Sequence, residues 1–254
     1  MSSQVEIIPI LENNYVFCIR TVSDVCLVDP GESEVGLRFL AKNKLKLTSI
    51  LITHHHADHI DGILGLKNTF PEAVVYAPLK NKNQISLVDQ FVSQGARIRV
   101  SQDTYEVIEL PGHTMGILGY HDAAQKRLFA GDVIFGLGCG RLFEGTPAMM
   151  FGSLRKIAEL PRETLLYCTH EYTQMNLKFV EEMNSEARMP KSFNFEQFLK
   201  YKQQLAERRS AGQPSIPLSL AVELEVNPFL LSVRENNLEL FRNLRAARND
   251  FRPR

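Results

Sequence analysis

Residues 48–59 read Thr-Ser-Ile-Leu-Ile-Thr-His-His-His-Ala-Asp-His, an apolar run that breaks off into imidazoles and a carboxylate. The run over 48–53 is bounded by charge before it and polar side chains after it, the pattern of a strand buried on both faces. Four of the chain's seven histidines fall in the six positions from His54 to His59. Neutral imidazole nitrogen and carboxylate oxygen are ligands of zinc, iron and manganese, and they need a rigid base to converge on an ion. A strand end supplies that base. The plainer readings, a polyhistidine stretch on a solvated loop or Asp58 as a helix cap, account poorly for H-x-H-x-D-H placed directly after an apolar strand.

One short loop cannot surround a four- or five-coordinate ion, so further ligands are expected at other strand ends. Three strand ends carry them. The strand expected over 105–110 runs into Pro111-Gly112-His113-Thr114, that over 127–130 into Gly131-Asp132, and that over 165–168 into Thr169-His170-Glu171. Glycine at 112 and 131 permits the tight backbone that turns such a side chain inward. His113 or His170 alone would read as an ordinary core or surface histidine; beside the cluster they read as ligands. His54, His56, Asp58, His59, His113, Asp132 and His170 are too many for one tetrahedral ion and suit two ions that share a carboxylate. Such a pair, roughly 3.5–4 Å apart, can share a hydroxide whose pKa is near neutral. His55 is left as a structural residue and His121 as a surface one.

Strands are also expected over 15–20, 25–29, 74–77, 97–100 and 117–121, with Ser23-Asp24 as a hairpin turn and Pro30-Gly31 closing the strand before it. Helical spacing appears over 34–43, 60–68, 79–95 and 151–160, so strands and helices interleave through the first 170 residues. After Glu171 the pattern turns helical, over 175–186, 195–211 and 238–248, with a breaker at Gly212-Gln213-Pro214. The expectation is an α/β (α+β) domain over 1–170 and a helical domain over 171–254.

Composition narrows the function classes. In 254 residues, 44% hydrophobic and 23% charged side chains describe an ordinary soluble fold. Twenty-nine basic against twenty-nine acidic residues leave no whole-chain attraction for nucleic acid or an anionic membrane. The segment 242–254 is locally cationic, with five arginines against Asp250. No apolar run approaches the roughly 18–20 residues of a membrane span, and the start lacks the pattern of a secretory leader. Cys18, Cys26, Cys139 and Cys168 have no paired spacing, as suits reduced thiols. A cytoplasmic protein without nucleic-acid or membrane partners is expected.

With these motifs in view, the chain resembles the metallo-β-lactamase-fold hydrolases and, among them, the glyoxalase II (hydroxyacylglutathione hydrolase) family. The likeness spans essentially the whole length. THHHADH at 53–59, PGHT at 111–114 and GD at 131–132 mark the superfamily; GCGRLFEG at 138–145, THEYT at 169–173, NPF at 227–229 and the helical tail mark the family. The resemblance implies an αββα sandwich with a two-metal site on one edge and a C-terminal helical domain completing the substrate cleft. It implies that His54, His56 and His113 hold one ion, that Asp58, His59 and His170 hold the other, and that Asp132 bridges them. Zinc is the expected metal, and the same ligands accept iron or manganese. By the same likeness Arg141, Tyr172, Arg245 and Arg248 contact glutathione, Asp58 and Asp132 are catalytic, and the protein is a monomer. Arg245 and Arg248 are three apart and so share a helix face, with a solvated last helix as the plainer, less favoured reading. Three positions depart from the family pattern: Phe143 replaces a common tyrosine, Leu231 an arginine, and Asp61 one of a glycine pair.

The implied reaction is the second step of glutathione-dependent methylglyoxal detoxification. In it S-D-lactoylglutathione is attacked at its thioester carbonyl by a metal-bridging hydroxide, giving glutathione and D-lactate. A thiol of pKa about 8.5 leaves as thiolate without a strong general acid. Rival readings on the same fold are a one-iron persulfide dioxygenase, a lactonase and a β-lactamase. A nuclease would need a broad basic surface, which the net charge opposes. A non-catalytic metal scaffold is opposed by the ligand set, since structural zinc sites are closed and rich in cysteine.

Overall fold

The computed structural model describes residues 3–21, 24–100 and 102–252. The chain divides into two compact units, one of residues 1–109 with 116–131, the other of 110–115 with 132–254. Ser23, half of the expected hairpin turn, lies outside the described residues.

In the first unit, a six-stranded sheet takes the order of the sequence: β1 (Gln4–Ile10), β2 (Asn14–Arg20), β3 (Val25–Val28), β4 (Leu47–Leu51), β5 (Val74–Pro78) and β6 (Gln90–Val92). The first three pair antiparallel and the rest parallel. Parallel pairing demands a crossover, which α1 (Ser33–Lys42) provides between β3 and β4. The short α2 (Ala57–Ile60) and α3 (Ile63–Thr69) provide the next. Leu40, Ile63 and Leu66 of these helices pack with Leu27, Ile50, Ile52 and Val75 of the sheet.

The antiparallel strands β7 (Arg97–Val100), β8 (Asp103–Glu109), β9 (Leu118–Asp122) and β10 (Arg127–Gly131) form a further layer. Phe17 of β2 meets Phe129 of β10 at 5.5 Å between ring centroids, and the Tyr120 hydroxyl donates to the Ile52 carbonyl at 2.6 Å. With layers on both sides, β2 is buried everywhere except Arg20, so its sequence is nearly continuously apolar instead of alternating.

The second unit contains a small hairpin of β11 (Ile134–Phe135) and β12 (Gly138–Cys139), then α4 (Pro147–Ala158) and β13 (Leu165–Cys168). α5 (Thr173–Ser185), α6 (Phe195–Ser210), β14 (Leu218–Ser219, paired with β13), α7 (Leu220–Val226), α8 (Pro228–Arg234) and α9 (Leu238–Asp250) complete it. Phe241 binds these helices together, edge-on to Phe151 and to Phe229 with centroids 5.7 Å away in each case. Among the described residues no helix is long and apolar enough to cross a membrane.

Three sequence expectations fail locally. Residues 79–95 form no α-helix; a single 3-10 turn at Leu79–Asn81 leads to β6. Asn81 and Asp89 compete with helical pairing, Asn81 donating to Gln84 Oε1 at 2.6 Å and Asp89 accepting from the Val75 amide at 2.9 Å. The helix expected over 60–68 breaks at Asp61-Gly62 into α2 and α3. His121 is not a surface residue: it is 8% exposed inside β9, and burial lowers its pKa. The sequence reading also passed over β1, β6, β11, β12, β14, α7 and α8, most of them too short for a period to show.

Candidate metal and substrate site

In the first unit, the end of β4 hands the chain to the histidine cluster, and the residue that orders it is Asp29 at the end of β3. Asp29 adopts a left-handed φ of 51°, a conformation aspartate tolerates better than most residues. Its carboxylate accepts the Thr53 amide and the Thr53 hydroxyl, each at 2.7 Å, and lies 3.0 Å from His59 Nδ1. Both Asp29 and His59 are essentially sealed from solvent. A carboxylate at that distance from Nδ1 favours the imidazole proton on that nitrogen, while Nε2 lies 3.7 Å from Asp58 Oδ2. His54 Nε2 and His56 Nδ1 stand 3.1 Å apart, and the His54 and His59 rings are 4.0 Å apart. Asp58 is steadied by Asn14, whose side-chain amide donates to Oδ2 at 2.9 Å. His55 turns away from this group, its Nδ1 3.0 Å from the Asn81 amide nitrogen.

In the second unit, His113, Asp132 and His170 converge. His113 Nδ1 lies 2.8 Å from the Arg141 carbonyl, which can only accept, so the proton sits on Nδ1 and the Nε2 lone pair is available. That Nε2 is 3.4 Å from Asp132 Oδ2, and His170 Nε2 is 3.2 Å from the same oxygen. The Thr169 hydroxyl donates to the other carboxylate oxygen at 3.0 Å, fixing the orientation of Asp132. One carboxylate oxygen thus faces two imidazole nitrogens. Gly131, just before Asp132, has φ 50°, and a Cβ there would come within 2.5 Å of Thr53 Oγ1. The donor set of buried imidazoles and hydrogen-bonded carboxylates therefore fits divalent cations with nitrogen and oxygen preference in each unit taken by itself.

The second unit also contains a cavity of about 320 Å³ that joins this chemistry to positive charge. His113 and Asp132 line it together with Arg141, Tyr172, Arg245 and Arg248, and also Arg252, which the sequence reading did not single out. Arg245 is buried at 6% exposure, donates to the Cys139 carbonyl at 2.7 Å and lies over the Phe229 ring at 5.5 Å. Arg248 Nε donates to Asn176 Oδ1 at 2.9 Å; burial, and then the neighbouring Arg245, lower its pKa. Tyr172 stacks on His170 with ring centroids 4.7 Å apart and planes 2° from parallel. Arg141 lies over Phe143 at 5.4 Å, so the aromatic ring at 143 supports a guanidinium without needing a hydroxyl. Cys139 lines the cavity too, but burial raises its thiol pKa; all four cysteines are free and buried.

Asn14, Asp29, Thr169 and Asn176 are the supporting residues that sequence reasoning missed. For Asp29 a usable signal exists, an Asp-Pro-Gly that closes an apolar strand.

Two family models together match most of the chain. A model of the metallo-beta-lactamase superfamily matches residues 10–170, and one described as the hydroxyacylglutathione hydrolase C-terminus matches 171–251. The hydroxyacylglutathione hydrolase of Bdellovibrio bacteriovorus is 45% identical over 96% of this chain and 97% of its own length. That of Yersinia enterocolitica is 36% identical over 96% and 98%. Among solved structures, ETHE1 from Myxococcus xanthus superposes with a TM-score of 0.70 at 25% identity, covering 100% of this chain and 93% of its own. The BLEG-1 B3 metallo-beta-lactamase, at 24% identity and a TM-score of 0.62, covers 66% of this chain and shares the fold.

Proposed function

The chain belongs to the metallo-beta-lactamase superfamily and carries the hydroxyacylglutathione hydrolase C-terminus, and from that premise we propose that it hydrolyses S-2-hydroxyacylglutathione thioesters, S-D-lactoylglutathione foremost. Its products are glutathione and the free 2-hydroxy acid. The observation that carries this reading is one cavity in which His113 and Asp132 stand beside Arg141, Arg245, Arg248 and Arg252. Glutathione presents two carboxylates, and guanidinium pairs with carboxylate through parallel, charge-assisted hydrogen bonds.

His54, His56 and His113 are proposed to hold one divalent ion and Asp58, His59 and His170 a second, with Asp132 common to both. Such ions, zinc first and iron or manganese with the same donors, supply Lewis acidity and acidify water to near neutrality. The chain's own residues do the rest. Asp29 and the Arg141 carbonyl set the tautomers of His59 and His113. Asn14 and Thr169 hold the carboxylates of Asp58 and Asp132 at fixed angles. The arginines orient the thioester by its carboxylates, and a thiolate leaves without an acid to protonate it.

The test is steady-state turnover of S-D-lactoylglutathione, followed by the ultraviolet absorbance of the thioester, beside an acyl-CoA and a lactone, with metal analysis of the same preparation. Preferential hydrolysis of S-D-lactoylglutathione with two equivalents of metal is expected. Preference for the lactone or the acyl-CoA, or trace metal only, overturns the reading. A cytoplasmic location, which free cysteines support, and a monomeric state complete the proposal, checked by cell fractionation and by sedimentation respectively.

A further inference from the structure

The β11–β12 hairpin ends in a turn that is out of place by ordinary rules. Loop tips belong in solvent because their backbone polar groups need partners. Here the tip is buried, Leu137 being fully so. Leu137 also sits at φ 58°, a left-handed conformation that bulky residues avoid. Gly136 packs so tightly that a Cβ would come within 2.6 Å of Thr173 Oγ1 and 2.7 Å of the Tyr201 hydroxyl.

Side chains of the helices supply the partners that water would otherwise give. Glu223 of α7, with no exposed surface, accepts the Leu137 amide on Oε2 at 2.9 Å. Asn227, between α7 and α8, donates from its side-chain amide to the carbonyls of Phe135 and Gly138 at 3.2 and 3.1 Å, and to Glu223 Oε2 at 3.0 Å. The other end of Asn227 caps α8 by accepting the Phe229 amide at 3.0 Å. One buried carboxylate and one amide thus hold a strained turn in place.

The two arms of that hairpin reach the cavity. Phe135 lines it and sets its ring against Tyr172 at 5.1 Å. Cys139, on the other arm, offers the carbonyl that holds Arg245. Moving the turn therefore moves both an aromatic wall and the anchor of a buried guanidinium.

We propose that Glu223 and Asn227 are positioning residues for substrate binding, acting through the β11–β12 hairpin on Arg245 and Phe135 without touching the substrate. The proposal rests on the glutathione-thioester reading of the cavity. The groups they position are a cavity guanidinium and an aromatic wall, so the expected defect is one of affinity. Burial raises the Glu223 pKa to about 7, which its partly compensating hydrogen bonds do not undo, so a neutral amide is a fair substitute for the acid.

The experiment compares Glu223→Ala, Asn227→Ser and Glu223→Gln with the wild type, all full-length and metal-loaded. Serine keeps an α8 cap but loses the amide donor. Expected are a KM for S-D-lactoylglutathione and a calorimetric dissociation constant for glutathione raised about tenfold in Glu223→Ala and Asn227→Ser, with kcat within about threefold. Metal content stays at the wild-type level, and Glu223→Gln restores both constants. Unchanged KM and glutathione affinity in a folded variant, or a loss confined to kcat, overturns the proposal. Should Glu223→Ala fail to fold, Asn227→Ser decides by the same criteria. Wild-type turnover separates the two ideas: no thioester hydrolysis by the wild type condemns the functional reading itself, and normal turnover with unmoved variants condemns this inference alone.

Discussion

Replacing Asp29 with asparagine tests whether a carboxylate outside the proposed ligand set governs metal affinity. The substitution isolates charge, because asparagine tolerates the left-handed φ of 51° at this position as readily as aspartate. Three contacts are at stake, two to Thr53 at 2.7 Å and one to His59 Nδ1 at 3.0 Å. An asparagine oxygen can retain the Thr53 amide. Its NH2 group must then face the Thr53 hydroxyl and His59. Changing a charge-assisted hydrogen bond to a neutral one costs roughly 1 kcal/mol, so the two hydrogen bonds to Thr53 predict a loss of about 1–2 kcal/mol in folding stability. The larger effect is on the tautomer. An amide N–H facing Nδ1 makes that nitrogen an acceptor and moves the imidazole proton to Nε2, the atom proposed to coordinate. Loss of such a carboxylate partner behind the imidazole weakens metal binding by about 10- to 100-fold. Competition against a graded chelator, with elemental analysis of what remains bound, measures it. An Asp29→Asn protein that holds its metal within about threefold of the wild type would refute the reasoning, whatever its activity.

Three further outcomes are expected. Gly131→Ala places a Cβ 2.5 Å from Thr53 Oγ1 at a φ of 50°, and the combined conformational and packing cost of about 2–4 kcal/mol should appear in denaturant unfolding; a change below about 0.5 kcal/mol contradicts it. Arg245→Lys loses the planar fork that holds the Cys139 carbonyl and covers Phe229, so KM for the glutathione thioester should rise about tenfold with kcat little changed, and an unmoved KM removes Arg245 from the substrate site. Glu223 gives a pH signature: burial raises its pKa from 4.5 to about 7, so the folded state binds its proton more tightly than the unfolded chain does. The associated stability is fully present below pH 4.5 and is lost as pH rises to about 7, on the order of 3 kcal/mol. The difference in unfolding free energy between wild type and Glu223→Gln should fall by that amount across the interval, and a flat difference rejects the raised pKa.

Chemistry written into short motifs was legible from the chain alone. Four histidines in six residues cannot be hidden by any fold, and an apolar strand before them sets where they emerge. Strands such as β2 and β10 were equally readable, because burial on two faces leaves a nearly continuous apolar run. The segment over 79–95 shows the opposite case. Its apolar residues fall near helical spacing, yet Leu79, Leu87 and Phe91 remain exposed at 48%, 45% and 39%. Pairing of Gln90–Val92 with β5 took precedence over that weak local pattern.

What sequence alone determined is the identity and spacing of the ligand-type residues and the strands that deliver them. Both are local properties, carried by residue type and by periods of two or four. Only tertiary structure decided which carboxylate steadies His59, why Leu137 tolerates a left-handed turn, and which carbonyl anchors Arg245. Those choices join positions 30, 86 and 106 residues apart, and no short-range pattern encodes them, because a buried polar group takes the partner that folding brings within about 3 Å.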